Sequence, residues 1–209
     1  RLTTVTYKHL YEEVSKIAAG LRRMGIGKGD RVVAYSPNMP ETVFAFLATA
    51  SIGAIWSSCS PEFGTRSVIE RFQQIEPKVL VTADGYQYGG VRYSRMEAVA
   101  EIQRHLPTLQ KTVMIPYLNQ KPVFHNLTNT VSWDDSKEDG VALQFEPVEF
   151  SHPLWILYSS GTTGLPKPIV HGHGGILLEH TKTLSLHMNL TDKDRFFWLT
   201  TTGWMMWNL

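Results

Sequence analysis

The chain has 209 residues, 43% hydrophobic and 19% charged, a balance that argues against a disordered chain and suits one large globular domain or slightly more. A net charge of +1 without any basic stripe gives no footing for nucleic acid, and no apolar run approaches the roughly 20 residues that a bilayer span needs. Cys59 is the only cysteine, so no intrachain disulfide can form, and a reducing, cytoplasmic compartment is expected.

From Tyr7, the residues Leu10, Tyr11, Val14, Ile17, Ala18 and Leu21 recur on one helical face. Thr6 can cap the start of that helix, and Gly25 stands where a glycine ends one. Gly27 to Asp30 turn the chain into a strand, Arg31 to Tyr35. Pro40 suits the first turn of a second helix running to about Ser51 and stopping at Gly53, with a strand at 54–57. A third helix carries Val68, Ile69, Phe72 and Ile75 on one face and is closed by Pro77; a strand follows at 78–82. A weaker helix over 94–105 and a strand at 112–115 complete a first unit, residues 1–116. Strands alternating with helices of this length predict an α/β fold, a parallel sheet with helices on both faces.

Residues 117–153 lack periodicity and are rich in Asn, Asp, Pro and charge, as expected of a connector with at most a short strand or two. Leu154 to Tyr158 read as a buried strand that opens a second unit, 154–209. Both ends read as cut. Arg1 leads almost directly into helical periodicity, and Leu209 follows an apolar run with neither a cap nor a polar tail. A fragment is therefore expected, and the absence of a leader carries no information.

Strand 154–158 runs into Ser159, Ser160, Gly161, Thr162, Thr163, Gly164, Leu165, Pro166 and Lys167. Glycines let backbone N–H groups converge on an anion, the hydroxyls add donors, and the lysine adds a mobile positive charge. The run is not a Walker A loop, which needs four residues between its glycines and opens into a helix. Here two residues separate Gly161 from Gly164, and a second strand, Ile169 to His171, follows. The spacing predicts a hairpin-like flap over phosphates. A surface turn draws on the same residue types, but this ordered set, ending in Pro-Lys after a buried strand, favours the phosphate reading.

Ile156 to Lys167 resembles the signature of the adenylate-forming superfamily, which includes acyl-CoA synthetases, luciferase-like enzymes and peptide-synthetase adenylation domains. Leu2 to Leu10, the Gly25 to Val32 turn and Ala50 to Ala54 are similar, in order, to that superfamily's early motifs. The resemblance implies a partial N-terminal AMP-binding domain that uses ATP, Mg²⁺ and CoA. It places Ser159, Ser160, Gly161, Thr162, Thr163, Gly164 and Lys167 on the ATP phosphates, with Lys167 and Thr162 as the catalytic groups. In such enzymes the adenine, ribose and Mg²⁺ ligands and a catalytic C-terminal lysine come later than Leu209, so the chain alone is expected to be inactive. One departure is Pro168, where the superfamily commonly has glycine; it should stiffen the exit from the loop.

Ser57 to Gly64 resembles the short-chain acyl-CoA synthetases, and Thr200 to Asn208 and Pro168 to Gly175 look like their acetoacetate-activating branch. That resemblance implies an acid–thiol ligase that forms an acyl-adenylate and passes the acyl group to CoA. Gly203, Trp204, Met205 and Met206 would line the acyl pocket, while Trp207 reads as core. Arg92 and Arg95 fall where relatives carry arginines for the CoA phosphate; a solvated helix start is the alternative. His171, His173, His180 and His187 could suggest a metal site, but nearby carboxylates are sparse and ordinary histidines are the plainer reading, so no metal ligand is assigned. His171 and Gly172 follow the loop closely enough to shape its surroundings. Two other readings stay open: a short-chain synthetase for acetate, propionate or butyrate, and a nucleotide-binding module without turnover.

Overall fold

The computed structural model describes residues 4–159 and 164–208. Helix α1 (Tyr7–Arg23) starts where the His9 N–H donates to Thr6 Oγ1 at 3.2 Å. It ends in a Schellman turn: the Ile26 N–H reaches the Leu21 carbonyl at 3.0 Å and the Gly25 N–H reaches that of Arg22 at 2.9 Å. The turn needs the positive φ of +80° that Gly25 adopts. Strand β1 (Arg31–Tyr35) and helix α2 (Pro40–Ser51), with Pro40 in its first turn, follow as the sequence predicts. Then come β2 (Ile55–Cys59), α3 (Thr65–Phe72), β3 (Val79–Ala83), β4 (Gly85–Tyr88), β5 (Val91–Ser94), α4 (Met96–His105), β6 (Lys111–Ile115) and β7 (Thr130–Ser132). Strands β8 (Pro153–Ser159) and β9 (Lys167–Gly172) and helix α5 (His173–Lys182) complete the regular elements apart from single turns.

Seven strands form one sheet in the order β7-β6-β3-β1-β2-β8-β9, parallel throughout except that β9 runs antiparallel to β8. Alternate residues of each strand face opposite sides. Val32, Ala34, Val79, Val81 and Trp56 pack with α1 and α2, while Val33, Tyr35, Leu80 and Met114 pack with α3 and α4. The expected parallel sheet with helices on both faces is therefore present.

Three features differ from the sequence expectation. The third helix is regular only to Phe72; a 3₁₀ turn, Gln73–Ile75, and a left-handed Glu76 (φ +48°) bring it to Pro77. The antiparallel hairpin β4–β5 was not signalled at all. The connector does not hang between separate sheets, because β8 joins β2 through the Trp56–Trp155 pair and the Ser57 hydroxyl donates to the Ile156 carbonyl at 2.6 Å. It is strapped to the α1–α2 face instead. Trp133 is buried, Ser15 Oγ donates to the Val141 carbonyl at 2.6 Å, and Lys137 pairs with Glu13 at 3.0 Å. Its entry is held by the buried Asp84 carboxylate, which accepts from the N–H groups of Tyr117, Leu118 and Asn119 at 2.7–2.9 Å. Polar segments of this kind carry no period; their backbone groups are paired by tertiary contact.

Candidate functional site

In parallel α/β sheets, ligands sit at the carboxyl ends of the strands. Here the carboxyl ends of β1, β2 and β8 bring together the segments singled out in the sequence.

The Ser60–Gly64 turn follows β2. Tyr35 Oη at the end of β1 lies 3.0 Å from both the Pro61 and Phe63 carbonyls, so its single proton serves one or the other. Arg95 Nε donates to the same Pro61 carbonyl at 2.7 Å. On this turn rests the 200–208 segment: Thr202 Oγ1 donates to the Ser36 carbonyl at 2.6 Å, and Ser58 Oγ donates to that of Thr202 at 2.9 Å. Gly203 lies so close to the turn that a Cβ would stand 2.7 Å from the Phe63 ring and 3.0 Å from Ser60 Cβ. Glycine is required there by contact, not by backbone angle.

The 159–167 loop leaves β8 at Ser159 and returns through Gly164, Leu165 and Pro166 into β9, with Ser159 and Lys167 as register partners. The strands that flank it thus form the expected antiparallel pair, and no helix follows directly. Ser160, Gly161, Thr162 and Thr163 lie outside the described residues. Gly164 has φ +100°, a conformation that a side chain would strain, and Lys167 is exposed. Pro168 is the second residue of β9, an edge strand, where its missing N–H costs no ladder bond.

A cleft of 30 Å³ between the end of β8 and the 200–208 segment is lined by Ser58, Phe63, Arg71, Tyr158, Gly203 and Trp204 among others. The Arg71 guanidinium lies 5.2 Å from the Phe63 ring centre and 5.9 Å from that of Tyr158. Burial raises the pKa of Tyr158, so its hydroxyl stays a donor, and that hydroxyl bonds the Arg71 carbonyl at 2.6 Å. The sequence reading missed Arg71 and Tyr158. Between apolar residues on an amphipathic helix an arginine reads as a solvated side chain, and the only signal for Tyr158 was its place just before the loop.

The expected acyl-pocket residues divide. Trp204 is 66% exposed at the mouth of the narrow cleft, and Met205 lines that cleft while packing against the core. Met206 instead lines a largely apolar cavity of 560 Å³ with Leu184, Phe196, Trp198 and His180. The reason is local. Met205–Trp207 is a 3₁₀ turn, whose three residues per turn send successive side chains in different directions. Trp207 packs partly buried against the core and donates to Asn38 Oδ1 at 3.1 Å.

Arg92 and Arg95 lie on β5 and just after it, with their guanidiniums engaged by the chain itself. Arg92 Nη2 bonds the Leu118 carbonyl, and Arg95 stacks 4.9 Å from the Tyr86 ring centre while donating to Pro61 and to Tyr86 Oη. The CoA role expected of them gains no geometric support. Of the histidines, His171 lies on β9, where its Nδ1 accepts from Trp155 Nε1 at 3.0 Å. His173 opens α5. His180 lies on α5, and His187 ends the π turn that follows it from Thr183. Among the described residues no group of three or more His, Cys, Asp or Glu is placed to hold a metal ion, and no helix is long and apolar enough to cross a membrane.

The model of the family described as "AMP-binding enzyme" matches residues 1–207. The acetoacetyl-CoA synthetase of Macaca fascicularis is 46% identical over 214 residues, covering 99% of this chain and 32% of the relative. The acetoacetyl-coenzyme A synthetase of Rhizobium meliloti is 47% identical over 210 residues, with 98% and 32% covered. Among solved structures, the acetoacetyl-CoA synthetase from Streptomyces lividans superposes with a TM-score of 0.93 at 51% identity, covering 99% of this chain and 31% of that one. The chain thus spans about a third of the length of the curated relatives it matches.

Proposed function

Because this chain belongs to the AMP-binding enzyme family, we propose that it supplies the phosphate-facing part of an ATP-dependent ligase that joins acetoacetate to CoA. The observation that carries this reading is the gathering, at the carboxyl ends of β1, β2 and β8, of the Lys167 loop, the Ser60–Gly64 turn and the Gly203 segment. The names of the relatives support the acyl group.

In this reading a carboxylate oxygen of acetoacetate attacks the α-phosphorus of ATP. The bond to the bridging oxygen breaks, pyrophosphate leaves and an acyl-adenylate remains. The CoA thiol then loses its proton and attacks the acyl carbonyl, forming the thioester and releasing AMP. The chain's own contribution lies in the first step. Negative charge moves onto the leaving pyrophosphate, and a cation held beside it lowers the barrier. Lys167 suits that role, because its backbone is paired in a strand while its amine stands in solvent at the sheet edge. Ser159 and Gly164 flank the same anion site, and Ser160, Gly161, Thr162 and Thr163 belong to it by sequence. Mg²⁺ would accompany the ATP phosphates and share with Lys167 in neutralising their charge. The acyl group would meet the Gly203–Met206 segment. The buried, unpaired Cys59 is consistent with a reducing compartment such as the cytoplasm.

The test uses the full-length enzyme. Lys167→Ala is expected to lower acetoacetate-dependent ATP–pyrophosphate exchange by at least about tenfold, the loss of one charge-assisted contact. Unchanged exchange would remove the phosphate role. Ratios of kcat/KM across acetate, propionate, butyrate and acetoacetate are expected to favour acetoacetate; a preference for acetate would move the assignment to another short-chain synthetase.

A further inference from the structure

Both shoulders of the 159–167 loop are tied to one turn of chain at the end of α3. Tyr158, which precedes Ser159, donates its hydroxyl to the Arg71 carbonyl at 2.6 Å. The Pro166 carbonyl, which precedes Lys167, accepts from Gln74 Nε2 at 3.0 Å. Arg71 and Gln74 are three residues apart, neighbours on the helix surface where α3 passes into the 3₁₀ turn.

One tie grips β8 itself and the other the residue that leads into β9, and these two strands form one antiparallel pair in which Tyr158 opposes Pro168 and Ser159 opposes Lys167. The anchor itself is rigid: Val68 and Phe72 of α3 are fully buried under the sheet. Both hydrogens of the Gln74 amide are placed, the second partner being the Glu70 carbonyl at 2.8 Å, so the amide is held at both donors. The Tyr158 ring is held from its face by the Arg71 guanidinium. An exposed glutamine contributes little to a core. Its value here is geometric.

We propose that Gln74 and Tyr158 are positioning residues that hold the strand ends bearing Ser159 and Lys167, and so set where the Lys167 amine meets the ATP phosphates. This rests on the phosphate role proposed above for Lys167. A reacting group displaced by about 1 Å loses rate out of proportion to the bond that held it.

The experiment uses Gln74→Met, of similar length but without a donor, and Tyr158→Phe. Each is made in the full-length enzyme and again on a Lys167→Ala background. kcat/KM for ATP in pyrophosphate exchange is expected to fall about threefold to tenfold, the equivalent of one lost hydrogen bond. KM for acetoacetate and Tm should hold. On the Lys167→Ala background the further loss should stay under about twofold, since residues that act through one group are not additive. Amide hydrogen exchange at Leu165 and Lys167 should quicken in both variants. Full additivity with Lys167→Ala, or unchanged amide exchange, overturns the proposal. If Lys167→Ala is damaging and Gln74→Met is silent, the clamp alone fails. If Lys167→Ala is itself silent, the phosphate reading fails and the clamp falls with it.

Discussion

Cys59 closes β2 beneath the turn that shapes the candidate site, and it has no exposure. Burial pushes its thiol up to about 12, with the nearby Arg71 charge opposing. The thiolate is the reactive form, so at neutral pH this residue is an inert apolar filler. Labelling by a disulfide reagent such as DTNB is expected only at the rate of unfolding; labelling in native buffer at the pace of a free cysteine would show the packing to be wrong. Arg95 illustrates the opposite case, a charge that the sequence offers to a ligand and the structure gives to a carbonyl. Nothing in the run Val91 to Arg95 could reveal this, because its partners, Pro61 and Tyr86, are set by the hairpin and by the turn after β2. At the residue scale, then, the legible part of the site was the residues whose own chemistry defines the loop. Arg71, Gln74 and Tyr158 were not legible, since they act through backbone carbonyls.

Among elements, α1 and the strap over 133–139 give the sharpest consequence. Alanine in place of a mid-helix glycine ordinarily stabilises a helix by about 1 kcal/mol. Gly20 should behave in the opposite way, because a Cβ there would overlap the Ser136 carbonyl, which is backbone and cannot swing aside. Gly20→Ala is expected to cost about 1–3 kcal/mol through overpacking, lowering Tm by roughly 2–4 °C per kcal/mol for a chain of this size. Thermal unfolding followed by circular dichroism reads this directly, and a rise in Tm would mean that the strap does not lie on the helix. The helices and strands over 7–83 were legible because apolar period and Gly or Pro punctuation are local signals. The break of α3 at Gln73 was not, since no residue there forbids a helix before Pro77.

On the scale of the molecule, the junction of β9 and α5 carries a pH dependence. Burial lowers the pKa of His173 below its ordinary 6.5, and the neighbouring His152 lowers it further. His180 is lowered by burial, with Glu179 opposing. The unfolded chain therefore binds the more protons between about 6.5 and the depressed folded values. Stability rises with pH through that window and is lost as pH falls below about 6.5. Urea midpoints measured from pH 7.5 down to 5.5 should fall, and the fall should be smaller in a His173→Gln, His180→Gln double variant. Carboxylates contribute equally to both chains, so an identical slope would count against the burial of these rings.

By itself the sequence determined the alternation of strands and helices, the place of the 159–167 loop between two strands and its difference from a Walker loop. Each of these is written in residues adjacent along the chain, where sterics and period act. Only the tertiary structure decided that β8 extends the first sheet, that the 57–64 and 200–208 segments meet at the carboxyl ends of its strands, and that Met206 faces away from Met205. It alone brought Gln74 to Pro166, 92 positions away. Contacts of that reach depend on how apolar faces stack, and a polar side chain bonded to a distant carbonyl leaves no pattern of its own.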